Sequence, residues 1–268
     1  LLPTCFADYD GDGYPDRDWG FCDTELTSAD SEGTLLGTDG KFGWDVAYAG
    51  DVDGDGLDDV LASAIYNSES VFFGGAVYLF LGSTLNSNIS LDASNADYTF
   101  YGSSGQGYLG SQLSTAGDVD GDGLDDILFS QTNGADYAGR VYLFLGSSVT
   151  TPGVVDIATA DVIFEGEIGG GSLTGDRLGS AIATAGDVDG DGLDDILLGA
   201  NSADVNGISN AGKVYLILGS SLDGSGTFDV STSDVIFTGE GTYANSGSAV
   251  SSAGDMDGDG LDDILIGA

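Results

Sequence analysis

The sequence predicts an all-β chain, a β-propeller built of four-stranded antiparallel blades. Three blades are complete and others partial, so a fragment of a larger propeller is expected. Two observations carry this reading. Nine residues, Asp51-Val-Asp-Gly-Asp-Gly-Leu-Asp-Asp59, recur unchanged from Asp118 to Asp126 and from Asp187 to Asp195, and with Met256 in place of Val from Asp255 to Asp263. Starts spaced 67 to 69 residues apart mark a repeat unit with room for four short strands and their turns. Helical periodicity is absent, 46 glycines punctuate the chain, and every complete repeat shows four strand signals. A single twisted blade cannot cover its own apolar faces, so blades pack face to face around an axis.

Residues 1–32 form a first, separate unit. It holds a shorter relative of the repeat motif, Asp8-Tyr-Asp-Gly-Asp-Gly-Tyr-Pro-Asp16, bracketed by Cys5 and Cys22. Too few apolar residues are present for a core, and Asp23 to Gly33 is polar enough to serve as a linker. Two cysteines flanking a metal-rich segment read as one disulfide and an oxidising compartment. Closing this 18-residue loop contributes about 3 kcal/mol in the chain-entropy model. The alternative, a thiol metal or redox pair, matches no zinc or redox spacing.

Residues 33–268 form the blades. Thr34 to Gly37 reads as the end of a preceding blade. The first strand of each repeat is short and mixed: Gly43 to Ala49, Gly110 to Ala116, Gly179 to Ala185 and Gly247 to Ala253. The acidic nonapeptide leads into the second, as in Val60 to Ile65 or Ile196 to Ala200. The third is the most apolar (Ala76 to Leu81, Val141 to Leu145, Val214 to Leu218), which predicts burial on both faces. Tyr98 to Tyr101, Val162 to Glu165 and Val235 to Thr238 are the fourth strands, and the last repeat stops after its second. Either the chain is a piece of a longer one, as the missing initiator Met also suggests, or its partial ends complete each other. An open arc would expose apolar blade faces.

The nonapeptide sets carboxylates on alternate residues of a tight loop, where they repel unless a cation lies between them. Glycines at its fourth and sixth positions allow the positive φ that makes those side chains converge. An all-oxygen donor set selects a hard cation, and a flexible cage suits Ca²⁺ better than Mg²⁺. The EF-hand is excluded, because its twelfth-position Glu is here Ala62, Phe129, Leu198 or Ile266. The expected ligands are Asp51, Asp53, Asp55, the Leu57 carbonyl and Asp59; Asp118, Asp120, Asp122, Leu124 and Asp126; Asp187, Asp189, Asp191, Leu193 and Asp195; and Asp255, Asp257, Asp259, Leu261 and Asp263. In the first unit they are Asp8, Asp10, Asp12, Tyr14 and Asp16, giving up to five Ca²⁺ ions. The ninth-position Asp is expected to close each cage in bidentate fashion. The eighth-position Asp turns to solvent or pairs with loop amides. Metal-free Asp-Gly turns are the alternative, but a turn needs one Asp-Gly and not several carboxylates.

Strand, Ala-Gly, Asp-x-Asp-Gly-Asp-Gly-x-x-Asp, then an aliphatic strand ending Gly-Ala resembles the FG-GAP repeat. That repeat is the blade unit of the integrin α-subunit β-propeller and of many bacterial surface proteins. The resemblance covers about residues 34–268. At the place that opens each first strand the pair is Phe-Gly at Phe42-Gly43, Leu-Gly at Leu109 and Leu178 and Ser-Gly at Ser246; Gly-Ala stands at Gly199-Ala200 and Gly267-Ala268. Residues 1–32 resemble a thrombospondin type 3 calcium repeat. The resemblance to integrin-type propellers implies metal loops on one face and ligand-contacting loops on the other. The latter carry Phe72, Phe73, Tyr108, Tyr137 and the pair Asp176–Arg177, with blade-rim packing as the alternative role.

Formal charge is −40, with five basic residues in all, and the five loops hold 24 of the 45 acids. Such a chain repels nucleic acid and anionic membranes, and the remaining acids read as a solubilising surface. No apolar run is long enough to span a membrane. The chain has no His, which removes His-based acid–base catalysis and ordinary zinc sites. Carboxylate-pair glycosidase chemistry would fall to Glu165, Glu167 or Glu240, of which the last two are repeat equivalents and so suit a scaffold role. The expectation is a non-enzymatic, extracellular or cell-surface module, calcium-stabilised, that binds an extracellular protein or glycan ligand in adhesion. The alternatives are a non-catalytic accessory module of a secreted carbohydrate-active or lipolytic enzyme, and a structural spacer.

Overall fold

The computed structural model describes residues 34–35, 40–85, 90–133, 137–167, 175–222, 224 and 226–268; the metal loop expected at Asp8 to Asp16 and both cysteines lie outside them. A two-residue strand β1 (Thr34–Leu35) comes first. The first repeat supplies β2 (Phe42–Gly50), β3 (Asp59–Ala64), β4 (Ala76–Phe80), a short β5 (Ser90–Leu91) and β6 (Tyr98–Tyr101). The second supplies β7 (Leu109–Gly117), β8 (Asp126–Gln131), β9 (Arg140–Phe144), β10 (Gly153–Val155) and β11 (Val162–Glu165). The third gives β12 (Leu178–Gly186), β13 (Asp195–Ala200), β14 (Lys213–Ile217), β15 (Gly226–Asp229) and β16 (Val235–Thr238), and the fourth β17 (Ala249–Gly254) and β18 (Asp263–Gly267).

Strands β2-β3-β4-β6, β7-β8-β9-β11 and β12-β13-β14-β16 are three antiparallel meanders, and β17-β18 starts a fourth. The first strands β2, β7, β12 and β17 pack against one another and line the axis, with each meander running outward from it. This is a partial β-propeller. The expected strands match within a residue or two, the first of each complete blade gaining one residue at each end to reach nine. Two register shifts lengthen it, between Phe42 and Val46 and between Tyr48 and Gly50 in the first blade, with counterparts in the next two. Such bulges bend a strand without breaking its pairing.

Strands β5, β10 and β15 are the second departure, because their sequences read as loop. β10 runs parallel to β6 of the preceding blade, with Gly153 opposite Tyr98, and β15 runs parallel to β11, with Gly226 opposite Val162. β5 pairs with β1 in the same sense, so β1 takes the outer-strand place of a preceding blade. Each repeat therefore lays a strand along the outer edge of the blade before it, which covers an otherwise unpaired ladder.

Behind each added strand, Asp92, Asp156 and Asp229 cap a single 3-10 turn by accepting the amides of Ser94, Ala158 and Ser231. Asp97, Asp161 and Asp234 then accept the amides of Leu81, Leu145 and Leu218, each at 2.9 Å. The acids outside the metal loops are thus not only a solubilising surface. Three of these six cap turns, and Asp97, Asp161 and Asp234 tie the end of the third strand to the start of the fourth.

The core lies between blades. All five residues of β4 are buried, as the apolar run predicts. Leu61, Leu79 and Phe100 of the first blade meet Ile127, Phe129 and Phe144 of the second. The Phe100 ring centroid lies 5.0 Å from that of Phe129 and 4.9 Å from that of Phe144. Leu128, Leu143 and Phe164 meet Ile196, Leu198 and Tyr215 in the same way. Replacing Phe100 by Ala removes a ring shared by two blades and is expected to cost about 3–5 kcal/mol in urea unfolding. A loss under about 1 kcal/mol would show that the blades are not coupled through this cluster.

Candidate metal centres

The four described nonapeptides sit at the same corner of each blade, between its first and second strands. Within each, hydrogen bonds fold the backbone back on its own side chains. Asp118 Oδ1 accepts the amides of Gly121 and Asp122, and Oδ2 accepts that of Gly123 at 3.0 Å. Asp120 then accepts the Asp122 amide and Asp122 the Leu124 amide. This path requires positive φ at Gly121 (75°) and Gly123 (90°), which glycine adopts without strain.

The carboxylates converge as a result. Oxygens of Asp51, Asp53 and Asp55 lie within 4.8 Å of one another, as do those of Asp118, Asp120 and Asp122 and those of Asp255, Asp257 and Asp259. In the third loop the cluster is Asp187, Asp189 and Asp195, the one place where the ninth-position Asp joins. One buried oxygen, Asp51 Oδ1, has no hydrogen-bond partner among the described residues. A hard divalent cation fits this donor set: oxygen only, anionic, converging, and with an acceptor left open. Asp191 and the carbonyls of Leu57, Leu124, Leu193 and Leu261 lie in the same loops as these clusters.

The ninth-position aspartates have a second task. Asp59, Asp126 and Asp195 are fully buried. Asp126 accepts the Val119 amide on one oxygen and the Gly146 amide on the other, both at 2.9 Å, which ties the loop to the end of its own third strand. Asp59 does this with Val52 and Gly82, Asp195 with Val188 and Gly219. Burial is the main cause that pushes these carboxyls up, Asp59 and Asp195 to about 6 and Asp126 to about 7; neighbouring loop carboxylates add to the rise and the backbone amides oppose it.

The eighth position makes a contact that sequence reasoning found only in outline. Its carboxylate does pair with a loop amide, but one in the neighbouring blade. Asp125 Oδ2 accepts the Asp51 amide at 2.8 Å, Asp194 that of Asp118 at 2.9 Å, and Asp262 that of Asp187 at 3.0 Å. A backbone bond runs the other way each time, as from the Asp125 amide to the Asp51 carbonyl. A Cβ at Gly50, Gly117 or Gly186 would overlap the incoming carboxylate.

The remaining candidates fall elsewhere. Glu165 pairs with Arg140, and Glu167 holds Lys213 at 2.8 Å and the Tyr215 hydroxyl at 3.0 Å, so both are committed to the scaffold; Glu240 is exposed. Phe72 and Tyr137 are exposed, as contact anchors require, and Phe73 packs with Tyr66 and Tyr108. Asp176 departs from its expected role: it is 2% exposed, and burial pushes its carboxyl up to about 6. Arg177 beside it is exposed.

A family model described as the FG-GAP repeat matches residues 109–144 and 178–217, the first three strands and acidic loops of the second and third blades. These are FG-GAP repeats. Integrin alpha pat-2 of Caenorhabditis briggsae is 31% identical over 238 residues, covering 82% of this chain and 17% of that protein. Integrin alpha-PS2 of Drosophila melanogaster is 32% identical over 157 residues, covering 57% of this chain and 10% of its own length. Phosphatidylinositol-glycan-specific phospholipase D of Mus musculus is 33% identical over 159 residues, covering 57% and 17%. The chain thus spans 10% to 17% of the length of these relatives.

Two outcomes test the geometry of the FG-GAP loops. Asp194→Ala leaves the Asp118 amide without its charged acceptor and is expected to cost about 1.5–3 kcal/mol. Asp58→Ala removes, among the described residues, only a bond from the exposed Tyr48 hydroxyl and should cost less; equal losses would refute the inter-blade role. The raised carboxyls of Asp59, Asp126 and Asp195 give a sign for pH. Their protonated forms favour the fold, so that stability is fully present below about 4 and lost as pH rises through about 6–7. In chelator, the melting midpoint should fall between pH 5 and pH 8. Saturating calcium should flatten or reverse that slope, because protons and cation compete for the same oxygens. Identical slopes with and without calcium would contradict it.

Proposed function

We propose that this chain is an extracellular or cell-surface FG-GAP module, braced by calcium, that binds a protein or glycan ligand in adhesion and carries out no catalysis itself. The observation that carries the metal half is the convergence of three carboxylates in every described loop, with the buried Asp51 Oδ1 left unpaired. Ca²⁺ at each corner would be held by the first, third and fifth aspartates and the seventh carbonyl. Asp59, Asp126, Asp195 and Asp263 would close the cage while keeping their amide bonds. Up to four ions belong to these loops, and a fifth to Asp8, Asp10, Asp12, Tyr14 and Asp16. The role is structural: the loops are nearly identical in every repeat, each is wired to a neighbouring loop, and the first three are wired to the third strand of their own blade.

The ligand half is supported by the integrin alpha relatives and by exposed side chains at the far ends of the axial strands. The phospholipase D relative supports a second reading, an accessory module in a lipolytic enzyme. Neither reading gives the chain a catalytic residue, since Glu165 and Glu167 are spent on ion pairs.

Calcium at a hundredfold excess over its dissociation constant contributes about 2.7 kcal/mol per site. Chelation is therefore expected to lower the melting midpoint by about 10 °C or more. Calorimetric titration should count about four ions in the blades; an unchanged melt in chelator would defeat the bracing role. A binding screen against glycans and extracellular-matrix proteins tests the ligand half, and a screen without hits would leave the spacer reading.

A further inference from the structure

A cavity of about 350 Å³ opens where β2, β7 and β12 begin, at the opposite end of the axial strands from the metal loops. Its walls come from repeat-equivalent positions, yet the repeats differ there as sharply as they agree in the loops. Trp44 stands where the next two repeats have Ser111 and Ser180, Ile65 where they have Thr132 and Asn201, and Tyr66 where the second has Asn133. Just ahead of each axial strand stand Lys41, Tyr108, Arg177 and Asn245, with φ of 59°, 56°, 58° and 54°. Glycine or Asn suits that conformation; Lys, Tyr and Arg do not. The scaffold therefore does not explain the choice of these side chains.

Their chemistry is also out of keeping with the rest of the chain. Formal charge is −40, and the cations Arg140 and Lys213 are neutralised by Glu165 and Glu167. Lys41 and Arg177 have no carboxylate partner among the described residues; Arg177 lines this cavity, and Lys41 packs on two of its lining rings. The Lys41 ammonium sits over the Trp44 and Tyr66 rings, 4.8 Å and 4.6 Å from their centroids. Trp44 is 50% exposed, and the Tyr66 and Tyr108 hydroxyls and the Asn133 amide make no hydrogen bond among the described residues. The site thus combines open aromatic faces, amides and hydroxyls that both donate and accept, and an unpaired guanidinium.

We propose that this axial cavity binds an acidic saccharide. The sugar carboxylate would sit on Arg177, with its ring against Trp44 and Tyr108 and its hydroxyls on the amides. Rings with alternating C–H faces and hydroxyls match such walls, whereas an extended acidic peptide would call for a free strand edge or backbone donors. The size is that of a small-ligand pocket. The acidic loops do not forbid an anion here: they lie about seven residues away along an extended strand, roughly 20 Å, beyond the screening length of about 8 Å at physiological salt. This deepens the ligand-binding reading and rests on it.

The test uses the whole chain in calcium buffer at physiological salt, titrated calorimetrically with trigalacturonate, maltotriose and a tri-aspartate peptide. Trigalacturonate should bind at least about tenfold more tightly than the other two. Arg177→Asn and Trp44→Ser install residues that other repeats carry at the same backbone positions, so the fold should tolerate them. Each should weaken trigalacturonate at least about tenfold with the melting midpoint unchanged, as expected for loss of a charge-assisted pair or a stacking face. Equal binding of the neutral and acidic sugars, preference for the peptide, no binding of any probe, or an Arg177→Asn affinity equal to wild type would each overturn the proposal. A protein ligand from the broader screen whose binding ignores Arg177→Asn would leave the module reading standing and remove only this site.

Discussion

The bond from the amide that opens one loop to the eighth-position carboxylate of the following loop is the constraint on which the arc depends. It joins residues 74 to 76 positions apart and repeats at three successive interfaces. Around it, other positions of the nonapeptide face either their own blade or the next. Val52 and Val119 bury into the core shared with the following blade, and Leu124 closes over Gly54 so tightly that a Cβ there would strike it. The ninth aspartates fasten the loop to its own third strand. Few positions are free to vary, which gives a physical reason for the near-identity of the loops.

That economy places several negative charges at each corner. The amide bonds that shape the loop also hold its carboxylates close together, and burial makes Asp59, Asp126 and Asp195 resist ionising. Near neutral pH the corner is therefore under tension unless a cation relieves it. A cation bound there would couple folding to metal binding through this tension, since it would stabilise the same ionised carboxylates that the fold by itself disfavours.

The sequence makes the blade count, the three complete meanders and the acidic corners legible, because they rest on local signals: a repeated motif, apolar runs and glycine punctuation. Tyr98 to Tyr101 and Val162 to Glu165 are bounded as read. What escapes is non-local. β10 and β15 are three and four residues long, and they become strands only by lying along β6 and β11. The partner of Asp125 is an amide with no sequence signature of its own. Asp176 looks exposed beside Arg177 in the sequence, but the structure packs it inside. The axial cavity draws on positions that no periodicity marks, and only their divergence between otherwise matching repeats singles them out.

The same interfaces give the arc a direction. Each blade is completed by the repeat after it, through the borrowed parallel strand, the buried face and the Asp latch. Val162 on β11, covered by β15, is 5% exposed, whereas its equivalent Val235 on β16 is 42% exposed. Leu197 in the third blade is fully buried, but the matching Leu265 in the fourth repeat is 55% exposed. The residues are the same in kind, so the difference lies in what stands beyond them. A blade's stability is then a nearest-neighbour quantity, greatest where it is flanked on both sides. The second blade is latched to Asp51 on one side and held by Asp194 on the other, so it carries this contact at both of its faces.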